Sequence, residues 1–80
     1  MKIIINIHLK DGVLDPQGKA VHHALSALNF NKVGDVRIGK QIILEVDGDD
    51  ENKAREEAVQ MCEELLANTV IENYAIELVK

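Results

Sequence analysis

Between Lys10 and Pro16 this chain must leave one kind of structure and enter another. Before that point Ile3, Ile5, Ile7 and Leu9 alternate with Lys2, Asn6, His8 and Lys10, the two-residue period of a strand with one buried face; Ile4 is the one apolar residue on the other face. After it, Val21, Ala24, Leu25 and Leu28 recur at helical spacing. The switch is made by Asp15, a good N-cap, followed by Pro16 at the first helical position, where its missing N–H costs nothing. Gly18 breaks this logic, because a glycine inside a helix costs up to ~1 kcal/mol relative to alanine. Such a residue implies close backbone approach, either by another segment of the same fold or by a partner.

Extended to the whole chain, the same reading gives six elements. Strands are expected over residues 2–10, 33–38, 41–47 and 74–79, and helices over 16–29 and 51–66. Gly39-Lys40 would form a two-residue hairpin turn. A continuous bent strand through 33–47, projecting an arm suited to subunit exchange, is the alternative. Gly48-Asp49-Asp50 would be a turn that also supplies an N-cap, and Glu51 suits the positive end of the second helix, whose stripe is Ala54, Ala58, Met61, Cys62 and Leu65. The order β-α-β-β-α-β is that of a ferredoxin-like α+β fold. Two helices would cover one face of a four-stranded antiparallel sheet, in a single domain over 1–80. The other face would carry Ile4, Ile43, Ala75 and Val79 among Asn6, His8, Glu45 and Glu77, which suggests partial burial by a second copy.

Composition narrows the function classes. Nine basic and fourteen acidic residues give a net charge of −5, against the basic field that nucleic acid or an anionic membrane requires. One Phe and one Tyr offer little for bases to stack on. No apolar run reaches the roughly 20 residues of a membrane span, and no signal peptide is legible, so a cytoplasmic location is expected. Eighty residues build a small core, which oligomerisation would support.

Catalytic and metal chemistry is not expected on this chain. Cys62 is alone and on a helical stripe, which reads as a buried, inert thiol. His22 and His23 are neighbours on a helix and point about 100° apart, too far to clamp one ion; His22 is expected to be the more exposed. Asp47-Gly48-Asp49-Asp50-Glu51 lacks calcium-loop spacing and reads as a solvated turn into a helix. Ser26, the only serine, has no legible base and acid partners. The chain also lacks a Cys-x-x-Cys, strand aromatics beyond Tyr74 and an arginine-bearing phosphate cradle after the first strand. By elimination it reads as a binding, regulatory or assembly module.

Three stretches carry a specific resemblance. Leu9-Lys10-Asp11-Gly12-Val13-Leu14-Asp15-Pro16-Gln17-Gly18-Lys19-Ala20-Val21, Val36-Arg37-Ile38-Gly39-Lys40, and Cys62-Glu63-Glu64-Leu65-Leu66-Ala67-Asn68 followed by Val70-Ile71-Glu72-Asn73-Tyr74 resemble the PurS family. These are small subunits of phosphoribosylformylglycinamidine (FGAM) synthase. The likeness spans essentially the whole chain in order. Asn29 stands where the family commonly has glycine, and Thr69 where it commonly has proline; asparagine also tolerates the left-handed conformation of a helix stop.

The resemblance implies a non-catalytic subunit of a ligase complex (EC 6.3.5.3), in the step of purine biosynthesis that converts FGAR to FGAM with ATP and glutamine. It implies a homodimer or higher oligomer that bridges a large amidating subunit and a glutaminase subunit and aids ammonia transfer. No cofactor is implied here, Mg-ATP being used by the partner subunit. Asp15, Pro16, Gln17, Gly18 and Lys19 at the helix start, with Arg37 and Lys40, are the candidate partner-docking residues. The competing class is a small-ligand regulatory domain of ACT-like type, whose ligands sit near the first strand-to-helix loop; a standalone enzyme is a distant third.

Overall fold

The computed structural model describes residues 1–80. Its elements are β1 (Lys2–Leu9), α1 (Pro16–Ala27), β2 (Gly39–Glu45), α2 (Glu51–Met61) extended by a π-helical turn (Cys62–Leu66), and β3 (Glu72–Val79). One antiparallel sheet has the order β2-β1-β3. β1 is therefore central, and its alternation explains why. Ile3, Ile5 and Ile7 are at most 2 % exposed and form the floor of the core, with Ala54, Ala58, Cys62 and Ala67 above them. Small residues on α2 let that helix lie close to the sheet. Ile42 and Leu44 of β2 and Tyr74, Ile76 and Leu78 of β3 flank this core, half-buried.

The expected fourth strand, over 33–38, does not form. Gly39 is not a hairpin turn: it opens β2, opposite His8, and Lys40 lies opposite Ile7. A Cβ at position 39 would come within 2.8 Å of the Ile7 carbonyl oxygen, so this glycine serves strand approach. Residues 33–38 instead spend backbone groups on the first helix and its cap. His22 Nε2 bonds the Val33 carbonyl at 2.8 Å, and the Ile38 N–H donates to Asp15 Oδ2 at 2.7 Å. Backbone groups held by side chains are withdrawn from a β ladder.

α1 also departs from expectation. Its stripe does not face the sheet: Val21 is 40 % and Leu28 66 % exposed, and Ala24 is exposed too. The inward face is instead Gly18, His22 and Leu25, turned toward the returning segment, so His22 rather than His23 is the half-buried histidine. Only Gly18 in α1 is fully buried. The helix stops two residues earlier than expected, on a Schellman motif. Asn29 takes φ 71°, its N–H donates to Ser26, and that of Phe30 donates to Leu25.

The stripe of α2 is shifted once. The Ala67 N–H donates to the Cys62 carbonyl at 3.0 Å, five residues back, so the last turn holds an extra residue. Leu65, expected inside, is 82 % exposed, while Leu66 packs on the core. Leu66→Ala should therefore destabilise by about 1–2 kcal/mol, short of a full core deletion, and Leu65→Ala should stay within about 0.5 kcal/mol. Urea unfolding of both variants checks this, and equal losses would refute the shifted phase.

Candidate functional site

The seven candidate docking residues gather at one end of the sheet, where the loop after β1 meets the segment before β2. Asp15 organises this end. Its carboxylate is 4 % exposed and reaches two ways: Oδ1 accepts from the Gly18 N–H at 2.7 Å, capping α1, and Oδ2 accepts from Ile38, 23 residues on. The Ile38 and Gly18 bonds, helped by the Arg37 charge and the Gln17 N–H, hold its pKa below the ordinary 3.8; burial opposes them but loses.

Gly18 answers the question raised by its position. A Cβ there would overlap the Val36 carbonyl oxygen, a backbone atom that cannot swing away. The close approach is thus made by this chain's own returning segment. Arg37 reinforces the same join, donating from Nη1 to the Val13 carbonyl at 2.8 Å and from Nη2 to that of Lys10 at 3.2 Å. Its fork is engaged within the chain, although the side chain stays exposed.

Pro16, Gln17, Lys19 and Lys40 remain outward. Pro16, Gln17 and Lys40, with His8 and Glu72, border a shallow cleft of about 300 Å³ above Asp15. Lys40 Nζ lies 3.9 Å from Glu72 Oε2, a long contact between an exposed lysine and a half-buried glutamate. The other Glu72 oxygen accepts from the Asn68 N–H at 2.7 Å, which ties down the turn before β3. The structure thus brings all seven candidates to one end, with Asp15, Gly18 and Arg37 building it and the other four presenting it.

Elsewhere the side chains hold structure. Lys19, His22, His23, Ser26 and Asp35 line a second depression, but His22 Nε2 is committed to Val33. Cys62 is buried, and burial followed by the Glu63 charge pushes its thiol pKa up, away from the nucleophilic thiolate. Asp50 caps α2 by accepting from the Lys53 N–H at 3.1 Å. The Tyr74 hydroxyl donates to Glu63 Oε2 at 2.7 Å, and this bond raises the phenol pKa. Sequence reasoning placed Asp15 as a cap but missed its second bond to Ile38; the unexplained Gly18 was the available signal.

Known proteins share this arrangement from end to end. The family model PurS, described as phosphoribosylformylglycinamidine (FGAM) synthase, matches residues 2–80. The chain belongs to the PurS family. The synthase subunit PurS of Bacillus subtilis is 48 % identical over 77 residues, covering 96 % of this chain and 90 % of the relative. A C2 crystal form of B. subtilis PurS superposes with a TM-score of 0.88 at 47 % identity, covering 99 % of this chain and 98 % of that one. A chain in the structure of PurLQS from Thermotoga maritima matches with a TM-score of 0.86 at 36 % identity, over 95 % and 93 %.

Two variants test the PurS join. Gly18→Ala should lower stability although alanine is the better helix former, and should speed amide exchange at Ile38; a more stable variant would show that the Val36 contact yields. The advantage of wild type over Asp15→Asn carries a pH sign. A depressed folded pKa gives a contribution fully present above about pH 4 and lost as pH falls through the lower folded value. Thermal unfolding from pH 7 to pH 2 should show the two proteins converging in acid, and a constant gap would assign the effect to shape alone.

Proposed function

We propose that this chain is the PurS subunit of FGAM synthase, a non-catalytic member of a purine-biosynthetic ligase complex. The observation that carries this reading is the family match over residues 2–80, joined to the likeness to a chain of PurLQS. In that role it associates with itself and bridges the amidating and glutaminase subunits, so that ammonia passes between them. Mg-ATP belongs to the amidating subunit. The setting is cytoplasmic; no helix here is long and apolar enough to cross a membrane.

Pro16, Gln17, Lys19 and Lys40 present the docking surface, on a frame set by Asp15, Gly18 and Arg37. Support comes from the placement of Pro16, Gln17 and Lys40 beside the cleft, from Lys19 following on the same helix start, and from the outward side chains of all four. The strand order β2-β1-β3 is compatible with a ferredoxin-like sheet whose edge strand is not formed within one chain. Self-association is supported by the sheet's far face, where Ile43 is 55 % and Val79 38 % exposed.

Reconstitution with the amidating and glutaminase subunits tests the reading. Glutamine-dependent FGAM formation should require this chain, while the ammonia-driven reaction of the amidating subunit should not. A Gln17→Ala, Lys40→Glu double variant should lower glutamine-dependent turnover by about tenfold at limiting concentration, the scale of a lost interface anchor. Its fold, followed by circular dichroism, should be unchanged. Undiminished turnover would remove these two residues from the interface, and turnover independent of the chain would overturn the assembly role.

A further inference from the structure

We propose that the turn joining α2 to β3 is an apolar anchor for one larger subunit of the synthase. Leu65 and Val70 enter an apolar pocket rimmed by Lys or Arg, on the same subunit that meets Gln17 and Lys40. The proposal rests on the docking surface just described and adds the chemistry of the surface that meets it.

Leu65 and Val70 are the most exposed large apolar residues of the chain, at 82 % each. Ile71 beside them is exposed, as is Leu14 in the loop that follows β1. Leu65 is outside for a specific reason. An unbroken α-helix would continue the buried stripe of Ala54, Ala58 and Cys62 through position 65. The π-helical turn gives that place to Leu66 and turns Leu65 to water. Such turns are rare and recur at functional sites.

The anchor is held in shape. The Ala67 N–H donates to the Cys62 carbonyl, and those of Ile71 and Glu72 both donate to the Asn68 carbonyl. The Val70 N–H donates to Asn68 Oδ1 at 3.2 Å, and the Asn68 N–H to Glu72 Oε1 at 2.7 Å. Apolar side chains on a backbone tied this closely lose little freedom on docking, which favours binding through preorganisation.

Continuity and charge define the occupant. The Lys10 N–H donates to the Ile71 carbonyl at 2.8 Å, which joins this turn to the loop before α1. Glu72 borders the same cleft as Gln17 and Lys40. A partner surface laid on those two residues therefore runs on to the turn. Glu63 and Glu64 stand exposed next to Leu65, and no Lys or Arg occurs between Arg55 and Lys80. A basic rim on the partner answers that charge. Two copies of this chain meeting through the same turn would set Glu63 and Glu64 against their own like, so the pocket belongs to a different chain.

The test uses the reconstituted synthase. A Leu65→Ser, Val70→Thr double variant is titrated against fixed amidating and glutaminase subunits while glutamine-dependent FGAM formation is followed. The concentration giving half-maximal turnover is expected to rise about tenfold, with the maximal rate unchanged. Circular dichroism and sedimentation of the isolated chain are expected to match wild type. Glu64→Lys is expected to raise the same concentration, by a factor that shrinks at high salt. A photo-crosslinker attached to Leu65→Cys and, separately, to Gln17→Cys is expected to capture the same larger subunit; Cys62 is buried and stays unlabelled. These cross-links decide the matter if the double variant does not fold. An unshifted titration would overturn the proposal and leave the assembly role standing. So would cross-links to two different subunits or to a second copy of this chain, or a changed oligomeric state in the double variant. Turnover that never required the wild-type chain would overturn the assembly role and this anchor with it.

Discussion

One carboxylate holds the first helix to the sheet. Asp15 caps α1 with one oxygen and grips the Ile38 N–H with the other, so a single side chain sets both where the first helix begins and where the chain re-enters the sheet. With almost nothing of α1 in the core, no apolar packing would restore its position if these bonds were lost. Arg37 and Gly18 are consequences of the same join. The guanidinium braces the turn through the Lys10 and Val13 carbonyls, and the glycine leaves room for the Val36 carbonyl. The PurS-type helix start is therefore first a piece of architecture, and its outward residues act on that footing.

That arrangement explains which parts of the molecule were legible in the sequence. β1, α2 and β3 follow from periodicity, because each meets its partners through its own alternating or helical stripe; the existence of α1 was legible the same way, but its stripe faces outward. Asp15, Pro16 and Asn29 announced the helix boundary through local chemistry, although the helix stops at Ala27. Residues 33–38 misled because Val33, Val36 and Ile38 have strand propensity. A side chain 23 residues away decided their fate, and no local pattern records that bond. Leu65 misled for a different reason: the π-helical turn changes the period that the stripe assumed.

The candidate site divides along the same line. Its residues were legible as a group because they fall in two short motifs. Their division into framework and surface was not, since Gly18 read equally well as a contact made outside the chain or within it, and Arg37 read as a docking residue. Only the position of Val36 and the carbonyls of Lys10 and Val13 separates those readings.

The strand order has a consequence for how the protein comes into being. β1 is the first strand made and the middle one in the sheet, with one neighbour from residues 39–45 and the other from 72–79. During synthesis Ile3, Ile5 and Ile7 wait for their cover until Ala54 to Ala67 have emerged, and the second flank of β1 stays unpaired until residue 79. Closing so distant a pair carries the entropy of a long loop and places folding toward the slow end for a chain of this size. A chain that ends before β3 leaves one edge of its most apolar strand unpaired, whereas one that includes β3 pairs it on both sides. The last strand made is thus the one that turns the first strand made from an edge into the centre of the sheet.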